Sequence, residues 1–169
     1  KSISLLNSAI QKYPNTIDFY HLLGQAYFSK NNFTEAIKAY NEASAIDNTY
    51  LKSSKNLGYS QLETNQIESA KLNLRAASES DGFGNQQKEI SEYILTMAKD
   101  KLKFGKPSDA IALYKLAFEI SNSATNAHIY SNFLYLQSNT EEAVNIALPA
   151  ISKNNTKALN IKLLEVLVK

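Results

Sequence analysis

Cysteine and tryptophan are absent from this 169-residue chain, and methionine occurs once. Without cysteine there is no disulfide framework, no thiolate metal site and no thiol nucleophile, and the redox compartment stays open. Arginine is nearly missing, because Arg75 stands alone beside seventeen lysines. A nucleic-acid binder normally carries a basic stripe with several guanidinium forks to phosphate, whereas 18 basic against 16 acidic residues leave a net charge of only +2. Nucleic acid is therefore not an expected partner. No stretch approaches the roughly 18 consecutive apolar residues of a membrane span, and no basic-then-apolar signal segment opens the chain, so direct membrane insertion is not expected. The abundance of Lys and Asn beside one Arg fits an AT-rich genome. What remains, 44% hydrophobic and 20% charged residues, is the composition of an ordinary folded module with a substantial core.

The chain does have a period. Gly24, Ala36, Tyr40 and Ala43 return thirty-four residues later as Gly58, Ala70, Leu74 and Ala77, a spacing that one helix-turn-helix repeat accounts for. From Ile17, apolar or small residues fall at Tyr20, Leu23, Gly24 and Tyr27, one face of a helix. The polar run Ser29 to Asn32 interrupts the pattern, and Phe33, Ala36, Ile37, Tyr40 and Ala43 resume it in a second, antiparallel helix. The next repeat, from Leu51, has Leu57 and Gly58 in its first helix and Ile67, Ala70, Leu74 and Ala77 in its second. A third begins near Ser91 with Ile94, Met97 and Ala98, turns at Phe104 to Pro107, and continues through Ala110, Tyr114 and Ala117. Pro107 suits a helix start, where the amide it lacks would be unpaired. Ala70 and Ala110 are forty residues apart, so six extra residues lie between these repeats around Ser80 to Asn85, as a loop or as a forward extension of the next helix. A fourth, looser repeat holds Tyr130, Ser131, Leu134, Ala143, Ala147 and Ala150. Asn32 with Glu35, Asn65 with Glu68 and Asn139 with Glu142 have the spacing of a capping box and predict three helix starts.

These residues resemble the tetratricopeptide-repeat family. Its pattern places a bulky residue, Leu, a small residue and Tyr in the first helix, and small, aromatic and small residues in the second. Tyr20, Leu23, Gly24, Tyr27, Ala36, Tyr40 and Ala43 fill that pattern almost completely. The resemblance implies an all-α fold, a right-handed superhelical solenoid of antiparallel helix hairpins, as one module over 1–169. Its expected parts are the end of a preceding repeat (1–16), a repeat (17–50), a repeat plus insertion (51–90), two further repeats (91–123 and 124–157) and a terminal helix (158–169). Leu6, Ala9 and Pro14 fit the end of the preceding second helix. Small residues are required at Gly24 and Ala36 because the helices approach closely there. Gln61 and Lys101 depart from the pattern where an aromatic is usual, and Pro149 inside a second helix predicts a bend near Asn145 to Leu148. The chain opens in mid-repeat and closes on the apolar stretch Lys157 to Val168, which lacks the polar outer face of a cap. A piece of a longer protein is therefore expected, with a self-associating end as the alternative.

No catalytic constellation emerges from spacing. His21 and His128 lie in different repeats without a partner at the separation of a metal pair. Gly82 to Gln87 begins like a dinucleotide fingerprint but lacks the third glycine and follows a helix instead of a strand. Glu141 and Glu142 sit at a helix start, where the dipole favours anions, which makes their role structural. No metal, no cofactor and no reaction are expected within these residues. The family resemblance points instead to the concave face, which the second, fifth, ninth, twelfth and thirteenth positions of each first helix line. Carried over, these are Asp18, His21, Gln25, Phe28 and Ser29, then Lys52, Lys55, Tyr59, Leu62 and Glu63. The third repeat gives Glu92, Leu95, Lys99, Leu102 and Lys103, and the fourth Thr125, His128, Asn132, Tyr135 and Leu136. From these the candidate peptide-binding residues are His21, Gln25, Lys52, Lys55, Tyr59, Lys99, Lys103, His128, Asn132 and Tyr135. Their cations, amides and aromatic rings suit an extended peptide or partner protein with acidic and apolar residues, held without catalysis. The two-carboxylate clamp of some family members is not matched, since His21, Gln25, Tyr59, Leu95 and Lys99 hold its places, so a co-chaperone role is not carried over. A self-associating scaffold and the accessory region of a larger enzyme are the alternative readings.

Overall fold

The computed structural model describes residues 2–47, 49, 51–80, 84–153 and 164–165. Among these, every regular element is helical, and the chain divides into two compact units, Lys1–Gln86 and Gln87–Lys169. The first unit holds α1 (Ser2–Lys12), α2 (Ile17–Phe28), α3 (Phe33–Ile46), a 3-10 turn at Leu51–Ser53, α4 (Ser54–Glu63) and α5 (Ile67–Glu79). The second holds nearly all of α6 (Asn85–Lys103), then α7 (Pro107–Ile120), α8 (Ala124–Leu136) and α9 (Thr140–Lys153). Within each unit the helices pack against their neighbours along the chain, α2 on α3, α3 on α4 and α4 on α5 in the first, α7 on α8 and α8 on α9 in the second.

One turn joins α2 to α3, α4 to α5, α6 to α7 and α8 to α9. Asn31, Asn65, Gly105 and Ser138 all have positive φ, between 57° and 69°, and they stand thirty-four, forty and thirty-three residues apart. After each, the next amide donates back to a carbonyl of the first helix: Asn32 to Tyr27 (3.0 Å), Gln66 to Gln61 (2.7 Å), Lys106 to Lys101 (2.9 Å) and Asn139 to Leu134 (2.9 Å). This is the Schellman ending, in which a left-handed residue lets the chain reverse while the last helical carbonyls stay bonded. Asn and Gly tolerate that conformation best.

The same register fixes the packing. Ala36, Ala70, Ala110 and Ala143 are each fully buried, as are Ala43 and Ala117, with Ala77 and Ala150 nearly so. Gly24 faces the buried Tyr40 ring so closely that an added Cβ would overlap it, and a Cβ at Gly58 would come within 2.5 Å of Leu74 Cγ. Small residues in the first helix thus admit large ones from the second, which is the close approach that the sequence pattern predicts. Gln61, where an aromatic is usual, is buried, and its Oε1 accepts a hydrogen bond from Asn73 Nδ2 (2.9 Å), which ties α4 to α5.

Several expectations need correction. Asn32 does cap α3, its Oδ1 accepting from the Glu35 amide at 3.4 Å, but Asn65 is no cap. It occupies the left-handed turn position, and Gln66 stands at the cap, its side chain donating back to Thr64 Oγ1 (3.0 Å) and not capping the helix. The turn and the cap compete for asparagine, and the Asn65–Glu68 spacing is one residue out of register with Asn32–Glu35. At the third of these starts, Asn139 donates through Nδ2 to Glu142 Oε2 (2.7 Å), and Glu142 also accepts from the Tyr130 hydroxyl (2.9 Å), linking α8 to α9. Of the two alternatives for the extra length before the third repeat, α6 favours the forward extension, since it begins at Asn85, ahead of the repeat start expected near Ser91. Pro149 lies within α9, which continues to Lys153. The terminal apolar stretch falls outside the described residues except at Leu164 and Glu165.

Candidate binding face

In the first unit the relevant helices are α2 and α4. His21 projects from α2 so that its Nδ1 lies 2.9 Å from the hydroxyl of Ser53, at the start of α4, and its ring packs 5.9 Å from that of Tyr40. Burial, then the Lys52 ammonium, hold the imidazole below its ordinary value, against the opposing pull of Asp18. The Ser–His–Asp composition does not make a nucleophile, because Ser53 is only 1% exposed and closed to substrate. Gln25 and Lys52 are exposed and Lys55 is half-buried, all on the predicted face. Tyr59 is buried at 6% exposure, so its ring belongs to the interior and offers a ligand little.

A lowered imidazole pKa has a definite sign in stability. The unfolded chain protonates His21 near pH 6.5, while the folded chain keeps it neutral to lower pH, so this stabilisation is complete above about pH 6.5 and is lost as pH falls through the folded value. His21→Gln is expected to reduce the fall in urea midpoint between about pH 7.5 and pH 5.5. Identical pH profiles for the two proteins would contradict this.

In the second unit the corresponding helices are α6 and α8. Lys99 is exposed, Lys103 is exposed but paired through Nζ with Asp100 Oδ1 (2.7 Å), and His128, Asn132 and Tyr135 are half-buried. Between the start of α6 and the start of α8 lies a cavity of about 360 Å³. It brings together three predicted inner-face residues, Glu92, Leu95 and Thr125, with five that the repeat pattern does not reveal: Lys88, Ser91, Ser121, Ser123 and Asn126. Its walls are pinned. Ser91 Oγ donates to the Lys88 carbonyl (2.9 Å), Asn126 Nδ2 donates to the carbonyls of Ala117 (3.2 Å) and Ser121 (2.9 Å), and Ser123 Oγ accepts from the Asn126 amide (3.1 Å). Of these five, Ser123 carries a sequence signal, a serine one residue before a helix. A second cavity of about 400 Å³ lies beside Phe118, Ile146 and Lys153, at the edge of the described residues. Among the described residues no group of three or more His, Cys, Asp or Glu could hold a metal ion, and no helix is long and apolar enough to cross a membrane.

Paired helices joined by a recurring left-handed turn, with small residues on fixed rungs, agree with the sequence comparison: residues 24–65 match the family described as TPR repeat. Residues 24–65 are a tetratricopeptide repeat. The crystal structure of MamA is similar over 98% of this chain and 86% of that one, at 16% identity and a TM-score of 0.55, which shows the fold. PilF of Pseudomonas aeruginosa matches at 20% identity and a TM-score of 0.46, over 96% of this chain and 74% of that one. YrrB, a TPR protein with an unusual peptide-binding site, matches at 17% identity and 0.46, over 96% and 89%. Among curated proteins no match is found. The tetratricopeptide repeat is in general a protein-interaction element, so the coarse role is interaction or scaffolding.

Proposed function

We propose that this chain is a non-enzymatic interaction module that holds an acidic, extended segment of a partner protein against the faces of its first helices. The observation that carries this reading is the accessibility of polar side chains on those faces. Gln25, Lys52, Lys55, Lys99, Asn132 and Tyr135 are exposed or half-exposed, while the small rungs of the same helices are consumed by packing. Lysines placed this way favour carboxylates and steer their approach.

The test is charge reversal, with Lys55→Glu and Lys99→Glu measured against partners captured by the immobilised wild-type chain. Each substitution is expected to weaken binding roughly three- to tenfold at low salt and to flatten its salt dependence. Affinity and salt dependence that both stay unchanged, in variants with wild-type circular dichroism, would sink the reading.

A further inference from the structure

The extension of α6 places Lys88 at one end of a row that continues through Glu92, Leu95, Lys99 and Lys103. Steps of four, three, four and four residues keep these side chains within a narrow sector of one helix face. The first three line the cavity of about 360 Å³, opposite Ser121, Ser123 and Thr125 at the start of α8. We propose that this cavity seats one aliphatic or aromatic side chain of an acidic, extended peptide, and that a neighbouring carboxylate of the same peptide lies between Lys88 and the first turn of α8. The proposal rests on the interaction reading above and narrows it to one anchor site.

Three features select this occupant. The inner wall is apolar at Leu95, 8% exposed, and the buried Ser91 hydroxyl and Asn126 amide already have carbonyl partners. An entering apolar group therefore strands neither of those donors. The volume lies near the lower end of the roughly 300–1,000 Å³ typical of ligand pockets, which suits a side chain better than a large cofactor. Charge then sets the flanks. The α8 N-terminus is the positive end of a 13-residue helix, Lys88 is exposed across from it, and Lys99 follows Leu95 about 6 Å further along α6. Glu92, on the rim, repels a carboxylate directly above the cavity and so keeps that place for the apolar residue. Lys88 belongs to the extension that makes α6 longer than α2, α4 and α8, so the site is particular to this repeat of the chain.

The probe is a fluorescein-labelled nine-residue peptide with a central Phe between aspartates, compared with the same peptide carrying central Ala and titrated by anisotropy. Against the wild-type chain, Phe→Ala is expected to weaken binding about tenfold. Thr125→Trp fills the cavity from an exposed position, and with it the two peptides should bind alike. Lys88→Glu should weaken both peptides about threefold. In nitrogen-15 NMR spectra of the wild-type chain, the Leu95 and Asn126 amides should shift on titration. Equal affinity of the two peptides for the wild-type chain overturns the anchor, and so do shifts confined to α2 and α4, though these leave the wider interaction reading standing. No binding at all also overturns the anchor, while the wider reading falls only to the charge-reversal result. Should Thr125→Trp fail to fold, the peptide pair and the wild-type spectra decide.

Discussion

Replacement of Tyr40 by alanine is expected to lower the free energy of unfolding by about 3–5 kcal/mol, the range for emptying a large aromatic from a packed core. The Tyr40 side chain is fully buried. It clusters with Ala36 and Leu57, and Tyr27, Phe28 and Ile37 pack around them. Gly24 has no side chain to move into the vacated space, and the Asn31 turn holds the two helices at their spacing. Little relaxation is therefore available, which puts the cost toward the upper part of the range. The corresponding fall in melting temperature is about 6–20 °C. Tyr40→Phe keeps the ring and should retain most of the stability. Urea unfolding followed by circular dichroism checks both, and a loss below about 1 kcal/mol for the alanine variant would contradict the packing argument.

The second large effect is a coupling between Gly58 and Leu74. Gly58→Ala alone gains up to about 1 kcal/mol of helix propensity. It also drives a methyl toward Leu74 Cγ at 2.5 Å, and such overpacking costs about 1–3 kcal/mol. Leu74→Ala alone removes a fully buried side chain, at about 2–5 kcal/mol. In the double variant the clash is gone and the new methyl fills part of the space. The pair should then be about 1–3 kcal/mol more stable than the sum of the single losses. The Ala70 carbonyl oxygen, 3.3 Å from the new Cβ, limits the relief. Additivity within about 0.5 kcal/mol would show that the two residues do not share the site as described.

The sequence made the rungs legible because burial of small residues leaves a strong periodic trace. Ala36, Ala70, Ala110 and Ala143 are recognisable without coordinates, and all four are fully buried. Turn chemistry was harder to read, because asparagine serves both as a cap, at Asn32, and as a left-handed turn residue, at Asn31 and Asn65. The extra length could be measured by counting, but counting left loop and longer helix open, and the structure begins α6 at Asn85, ahead of the expected Ser91. On the candidate face, repeat position picked out Lys52, Lys55, Lys99 and Asn132, which are exposed or half-buried. It could not distinguish an exposed ring from a buried one, so Tyr59 was grouped with residues that remain accessible. The cavity was still less visible, because Ser121 and Ser123 reach it from a connection outside the repeat pattern.

The recurring left-handed turn has a consequence for the way the chain is made. Everything that defines the hairpin of α2 and α3, namely the reversal at Asn31, the Asn32 cap and the fit of Tyr40 against Gly24, lies within roughly thirty consecutive residues. No distant strand or late segment has to arrive before those contacts can form, so chain-closure entropy stays small. At a ribosome adding about 5–20 residues each second, such a hairpin can close while the next one is still being synthesised.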